Sequence, residues 1–472
     1  MKKSIFFLLF SLSLFAQDMP NIIWITVDTL RKDYVGKWSS KNLSPNIDSL
    51  LKDSVVLDNC FTPTPITFPS YTSALTGMHP LRHGVFFNTG YSVPENLKTI
   101  AEILKENGYY TISVIGGNPL HYGKGLERGF DIYDDEFLKR PKTGNPLFNI
   151  KIIEQAIGEM SQRPAEDITE MGLNYIKNAK NPYFLFLHYY DPHTPYNPPK
   201  EFSKKHLDNL YAGEVEYTDN SIGRFLKELK KLNEYDKNII VFFSDHGEGL
   251  GEHSENEHGF FLYNTTISIA ASIKLPFSKI KKDINEITTI MDITPTILDL
   301  IGIKFKGDGI SLKNAIFEKQ KIKNRDLIIQ TKMGNLYFGF EEINGILSYP
   351  FKAVFSSQPE VFNLSKDIKE EKNLYPENFR EMKKIYVDLL KNISEKEKKE
   401  FKTEDNKKLK SLGYLTPAKN LPKKDIPPSK WKEIIDIYRD GNTYHFSGKY
   451  LEAIKIYSDY LKKDPMNFRI LM

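Results

Sequence analysis

The chain has 472 residues, 40% hydrophobic and 27% charged, an ordinary globular balance with length for more than one domain. A formal net charge of +4 and the lack of any nucleic-acid-reading motif exclude a protein built around nucleic acid. A single cysteine, Cys60, excludes an internal disulfide, so the fold rests on its core, and Cys60 itself reads as a small buried hydrophobe.

In chain order, Lys2 and Lys3 precede an apolar run from Ile5 to Ala16 that stops at Gln17-Asp18. A charged start, a short apolar stretch and a small residue at its end predict a signal peptide over 1–17, and hence export to the periplasm or the extracellular space. The run is too short to span a bilayer comfortably, and no later stretch is long and apolar enough, so no membrane span is expected in the mature chain. Four short runs rich in β-branched or aromatic residues then end abruptly in polar ones. They are Ile22 to Val27, Thr111 to Ile115, Tyr183 to Leu187 and Ile239 to Phe243. Helical patterns such as Asn96 to Asn107 and Tyr217 to Leu232 lie between them. The alternation predicts an α/β catalytic domain over 18–310, a mostly parallel sheet sandwiched by helices. Ligands of such sheets bind beyond the carboxyl ends of the strands, where Asp28, His188 and Asp245 fall.

A smaller α+β region follows over 311–415. Strand-like runs at Leu327 to Gln330 and Tyr337 to Phe340 lead into a charged stretch, Glu395 to Lys410, that reads as a solvated helix face. Pro417, Pro422, Pro427 and Pro428 mark a linker over 416–430. The segment 431–472 reads as a helical hairpin. Gly441, Tyr444, Ala453, Tyr457 and Pro465 follow the spacing of a tetratricopeptide-like repeat. One such unit cannot bury its apolar face alone, so it packs on the main domain, meets a protein partner, or belongs to an array.

The chemistry concentrates in a few segments. Thr67-Phe68-Pro69-Ser70 opens an apolar helical stretch, which places Thr67 at a helix start, either as a structural N-cap or as a hydroxyl beside an anion-binding helix terminus. Asp28 and the run Asp245-His246-Gly247-Glu248 end two strands. Two carboxylates and an imidazole are enough to hold a divalent ion, with the Thr67 oxygen completing its shell. Four of the ten histidines sit in two short segments, His188 and His193 in one, His253 and His258 in the other. Histidine is the usual proton carrier and metal ligand near neutral pH.

These segments resemble, in order, those of the sulfatases and their relatives in the alkaline phosphatase superfamily: NIIWITVDTLR from Asn21, TFPSYTSALTGMHPLRHG from Thr67, YYDPHTPYNPP from Tyr189 and SDHGEGLGEHSENEHGFFLY from Ser244. The resemblance implies that Asp28, Asp245 and His246 are metal ligands and that Thr67 is both ligand and nucleophile. It also implies that Asn88 holds an ester oxygen, that His193 is the acid histidine, and that His258 faces the leaving group or a second metal. An imidazole ligand favours zinc or manganese over calcium or magnesium. The chain departs from the family pattern in three places. Sulfatases proper carry Cys or Ser in C/S-x-P-S-R, oxidised to formylglycine, whereas Thr67 cannot become that aldehyde; the Arg position is Tyr71; and a second Asp after the first strand is Thr29.

The expectation from these departures is a hydrolase of phosphate mono- or diesters working through a phospho-threonine. A sulfate ester hydrolase is the first alternative, and a non-catalytic protein acting through its C-terminal segment is the second. The substrate expected is a small-molecule or glycan ester.

Overall fold

The computed structural model describes residues 19–136, 162–400, 426–446 and 448–462. The expected signal peptide, most of the linker and Pro465 lie outside them.

A nine-stranded sheet carries the molecule. Its strands are β1 (Ile22–Val27), β2 (Val55–Phe61), β3 (Tyr110–Ile115), β4 (Ile132–Asp134), β5 (Tyr183–Tyr189), β6 (Ile239–Ser244), β7 (Ser268–Ile269), β8 (Ala271–Lys274) and β9 (Lys282–Thr289). They run in the order β4-β3-β5-β1-β6-β8-β2-β7, with β9 on β2. The β4-β3-β5-β1-β6 half is parallel throughout, while β8 lies antiparallel to both β6 and β2.

The parallel strands are buried on both faces, which is why they read as unbroken apolar runs. Successive side chains alternate between two cores. Ile22 and Trp24 of β1 join Phe184 and Phe186 of β5 on one face, whereas Ile23, Ile25 and Val27 join Leu185, Leu187 and Tyr189 on the other. The first core is covered by α1 (Thr67–Thr76), α2 (Ile100–Glu106) and α5 (Ile293–Leu300). The second is covered by α3 (Ala165–Asn178) and α4 (Leu210–Lys231). Trp24 sits at the centre of the first, edge-on to Phe184, Phe186 and Phe243.

The C-terminal region holds a four-stranded antiparallel sheet, β10 (Leu327–Thr331), β11 (Ile343–Ser348), β12 (Phe351–Phe355) and β13 (Glu360–Asn363). Tyr337 to Phe340 is not a strand, contrary to expectation. It closes α6 (Met333–Phe338), whose C-cap Gly339 turns at φ 72° and breaks the extended run that the aromatics imply. The helix α7 (Phe379–Glu400) packs Met382 on one face of the sheet, against Ile346, Ala353 and Val361.

The hairpin of α8 (Trp431–Phe446) and α9 (Tyr450–Leu461) covers the other side. Trp431 is fully buried, stacked on Phe340 and Phe261 with centroids at 4.7 and 5.7 Å, so the hairpin docks on its own chain through α8, while Leu451 and Ile454 of α9 stay exposed. Gly441 meets the Tyr457 ring so closely that no Cβ would fit, the physical reason for a glycine there. No helix among the described residues is long and apolar enough to cross a membrane.

Candidate active site

Strand register builds the site. Val27 of β1 pairs with Ser244 of β6, so the next residues, Asp28 and Asp245, emerge side by side at the carboxyl edge of adjacent parallel strands. On the other flank Thr26 pairs with His188 of β5 and the Asp28 amide donates to the Tyr189 carbonyl at 2.9 Å. The start of α1 is tied in from a third direction, since the Ser70 hydroxyl donates to the Asp245 carbonyl at 2.8 Å.

Each acidic side chain is half committed. Asp28 Oδ2 lies 3.2 Å from His188 Nε2, while its Oδ1 is buried without a hydrogen-bond partner. Asp245 Oδ1 accepts from the amides of Thr29 and His246 at 3.2 and 2.9 Å, while its Oδ2 is likewise unpartnered. His246 Nδ1 donates to the Gly247 carbonyl at 2.9 Å, which leaves the Nε2 lone pair facing inward. That Nε2 stands 3.3 Å from Asp245 Oδ2, 4.0 Å from Asp28 Oδ1 and 3.3 Å from the Thr67 hydroxyl, which donates to it. All four residues are fully buried.

Two orphaned carboxylate oxygens and an imidazole lone pair, mutually close and dry, make a donor set that fits a divalent cation. Electrostatics agree. Burial, then the charges of Asp245 and Glu248, push Asp28 well above the usual carboxylate range, and burial pushes Asp245 up to about 7. Burial, then His258, holds His246 neutral. A neutral imidazole beside two carboxylates that only a positive charge would keep ionised is what a cation site requires. This is the only such group of three among the described residues.

Thr67 is the first residue of α1, not its N-cap. Ile66 holds the cap position and the Thr67 side chain makes no capping bond. The cap is supplied from a distance, as Asn88 Oδ1 accepts from the Phe68 amide at 2.9 Å. The reading of Thr67 as a structural cap is therefore corrected, because its hydroxyl points at His246 instead. Asn88, expected to hold an ester oxygen, spends its amide oxygen on the helix terminus, so only its NH2 could serve as the donor in that role.

Two imidazoles flank the cluster. His193 stacks on Tyr190 at 4.4 Å and directs Nδ1–H to the Thr194 carbonyl; burial, with His258 nearby, lowers it to about 3. The His258 ring lies 4.4 Å from that of His246 and 5.2 Å from that of His193. Burial, the largest influence, works against its charge, but the fully buried Glu248 carboxylate, 2.9 Å from Nδ1, with the charges of Glu257 and Asp245, raises His258 to about 9. Tyr196 donates to the second Glu248 oxygen at 3.0 Å. His188 and His253, grouped with them by sequence, go elsewhere. His188 stands behind Asp28, and His253 bonds the Lys369 carbonyl and stacks on Tyr263.

Two residues without a role in the sequence reading belong to the site. Glu248 is one; its place ten residues before His258 in the same loop is the available signal. Lys124 is the other. Its buried ammonium donates to the Asn88 and Pro119 carbonyls and lies 5.3 Å from the centre of the Phe68 ring, bringing a positive charge to the start of α1. The glycines on either side of it, Gly123 and Gly125, are the only local hint.

Two of the three departures, Tyr71 and Thr29, have structural counterparts. Tyr71 is buried and its hydroxyl donates to Thr26 Oγ1 at 3.0 Å, so an uncharged ring fills the arginine's place. Thr29 contributes its backbone amide to Asp245 in place of a carboxylate, at φ 53°, a left-handed conformation unusual for a β-branched residue. Cys60 is buried in the sheet, its thiol pushed up to about 12 by burial, and is no nucleophile.

The sequence model of the family described as Sulfatase matches residues 20–303. An arylsulfatase of Clostridium perfringens is 26% identical over 494 residues, covering 84% of this chain and 98% of its own length. Human iduronate 2-sulfatase is 28% identical over 50% of this chain, which spans 56% of that protein. An ulvan-active sulfatase of Formosa agariphila is 29% identical over 65% of this chain and 66% of its own. Among solved structures, Ps i-CgsB in complex with k-i-k-neocarrahexaose superposes with a TM-score of 0.63 at 25% identity, over 79% of this chain and 92% of that one. The phosphonate monoester hydrolase of Agrobacterium radiobacter shares the fold, with a TM-score of 0.65 at 17% identity over 80% and 96% of the two chains.

Proposed function

The chain belongs to the sulfatase family of ester hydrolases, and from that premise we propose that it hydrolyses sulfate esters of glycans after export, with Thr67 as the nucleophile. The observation that carries this is the convergence of Asp28 Oδ1, Asp245 Oδ2, His246 Nε2 and the Thr67 hydroxyl in one dry cluster. A divalent cation held there, manganese or zinc by the mixed oxygen and imidazole donors, would acidify the hydroxyl and polarise the ester.

The chain's own residues do the rest. The Lys124 ammonium favours an anionic group beside Thr67. Oγ1 of Thr67, its proton passed to solvent water, forms a bond to sulfur as the sulfur–oxygen bond to the leaving alcohol breaks. His258, kept protonated by Glu248, gives its proton to that departing oxygen. Neutral His193, with Nδ1 tied to Thr194, offers Nε2 as a hydrogen-bond partner beside it. Water then attacks sulfur and passes a proton to the now neutral His258 as the sulfur–Oγ1 bond breaks, and Oγ1 takes a proton from solvent to regenerate the hydroxyl.

The glycan class is supported by relatives whose names include an ulvan-active and an iduronate sulfatase and by the neocarrahexaose complex. Export is supported by the Lys2-Lys3 and Ile5 to Ala16 pattern.

One observation favours a second reading, hydrolysis of phosphate mono- or diesters. Thr67 offers a plain hydroxyl where sulfatases proper need a Cys or Ser to convert, and a phospho-threonine is ordinary covalent chemistry. The sulfatase relatives move this reading from first place to second. A panel of aryl sulfate, phosphate monoester, phosphate diester and sulfated oligosaccharides, with manganese, zinc or calcium, decides. Turnover of sulfates above phosphates supports the proposal; turnover of phosphates alone installs the second reading. Turnover of none, in protein loaded with metal, overturns both.

A further inference from the structure

His188 stands at the end of β5, fully buried, and its two ring nitrogens have different company. The Gly116 amide donates to Nδ1 at 3.3 Å, and Nε2 faces Asp28 Oδ2 at 3.2 Å. An amide N–H requires a lone pair on Nδ1, so the ring proton is on Nε2 and is donated to the carboxylate. Gly116 is suited to this contact, since a Cβ there would come within 2.5 Å of the His188 carbonyl, and only a glycine lets that backbone approach. The ring is wedged edge-on against Tyr71 at 5.0 Å.

We propose that His188 is a positioning residue for the cation site: it occupies Asp28 Oδ2, fixes the carboxylate plane, and leaves Oδ1 as the one oxygen aimed into the cluster. The proposal rests on the reading of Asp28, Asp245 and His246 as metal ligands. Thr29 supplies no carboxylate here, so the orientation of Asp28 carries more of the binding. Because the Gly116 amide fixes the His188 ring, the Asp28 carboxylate bonded to that ring cannot rotate to present both of its oxygens to the cation.

Two variants separate the donor from the ring. His188→Phe keeps an aromatic wedge beside Tyr71 and removes the N–H; His188→Gln keeps an N–H able to reach Asp28. Manganese titrated calorimetrically into metal-free protein should bind His188→Phe about 10- to 100-fold more weakly than wild type, with His188→Gln restoring most of the difference. Equal affinity in a folded His188→Phe overturns the proposal. Asp28→Asn and Asp245→Asn are the control for the underlying reading. If they too bind manganese like wild type, the cation site itself is wrong; if they lose binding while His188→Phe does not, only the role of His188 fails. A measurement that needs no variant is the nitrogen spectrum of histidine-labelled, metal-free protein. It should show His188 as the neutral Nε2–H tautomer, and an Nδ1–H tautomer sinks the proposal even if neither variant folds.

Discussion

The proposed nucleophile Thr67 is not needed as a cap, and its hydroxyl is turned to the cluster, 3.3 Å from His246 Nε2. Thr67→Ala should cut turnover by roughly a thousandfold or more while manganese affinity falls far less, because three of the four donors remain; steady-state kinetics and calorimetry on the same sample check both halves. Glu248 is the second residue with a sharp expectation. Burial alone would discharge His258, and Glu248 reverses it, so the protonated imidazole persists to about pH 9 and is lost above. In Glu248→Gln the basic limb of the kcat profile should move down toward the ordinary imidazole range. A basic limb that stays in place would remove His258 as the proton donor.

Among the elements, the loop that carries His193 is held by two buried carboxyl groups. Asp191 accepts from the Ala165 amide at the start of α3, and Glu214 of α4 accepts from the Asn197 amide. Burial raises Asp191 to about 7, and burial with the charge of Asp191 raises Glu214 to about 8. The folded state therefore binds protons that the unfolded chain has released. Their contribution to stability is full below about pH 4, the ordinary carboxylate value, and is lost as pH rises through 7 to 8. Chemical denaturation from pH 5 to 8 should show this decline, and Asp191→Asn should flatten it. The hairpin offers a test of packing, since Trp431→Ala should cost about 3–5 kcal/mol of its docking and expose α8 and α9 to protease while the nine-stranded sheet stays protected. At this scale the sequence was readable where one strand end carries its own chemistry. Asp28 and Asp245 stand where apolar runs stop, and the register of β1 with β6 does the rest. Tyr337 to Phe340 was misread because aromatic runs favour strands, and only Gly339 hints otherwise. The strand-end place of His188 is legible, but its task is not, because the aspartate it meets lies 160 positions away.

For the whole molecule, a cation in the proposed site would belong to the fold's electrostatic balance. Without it two carboxyl groups lie buried at the junction of β1 and β6, each with an oxygen that nothing satisfies. Chelation should therefore lower Tm by roughly 5 °C or more, and readdition of manganese should restore it; a melting curve indifferent to chelator and metal would remove the cation from the structure. Helix α1 has a further consequence. All ten of its residues are buried, from Thr67 to Thr76. A modifying enzyme that needs an extended peptide can read this segment only while the polypeptide is still being made or threaded outward. If Thr67→Cys is installed to invite conversion to an aldehyde, the converting partner must be co-expressed; supplied later to finished protein, it should leave the thiol unchanged, as mass spectrometry of the tryptic fragment would report.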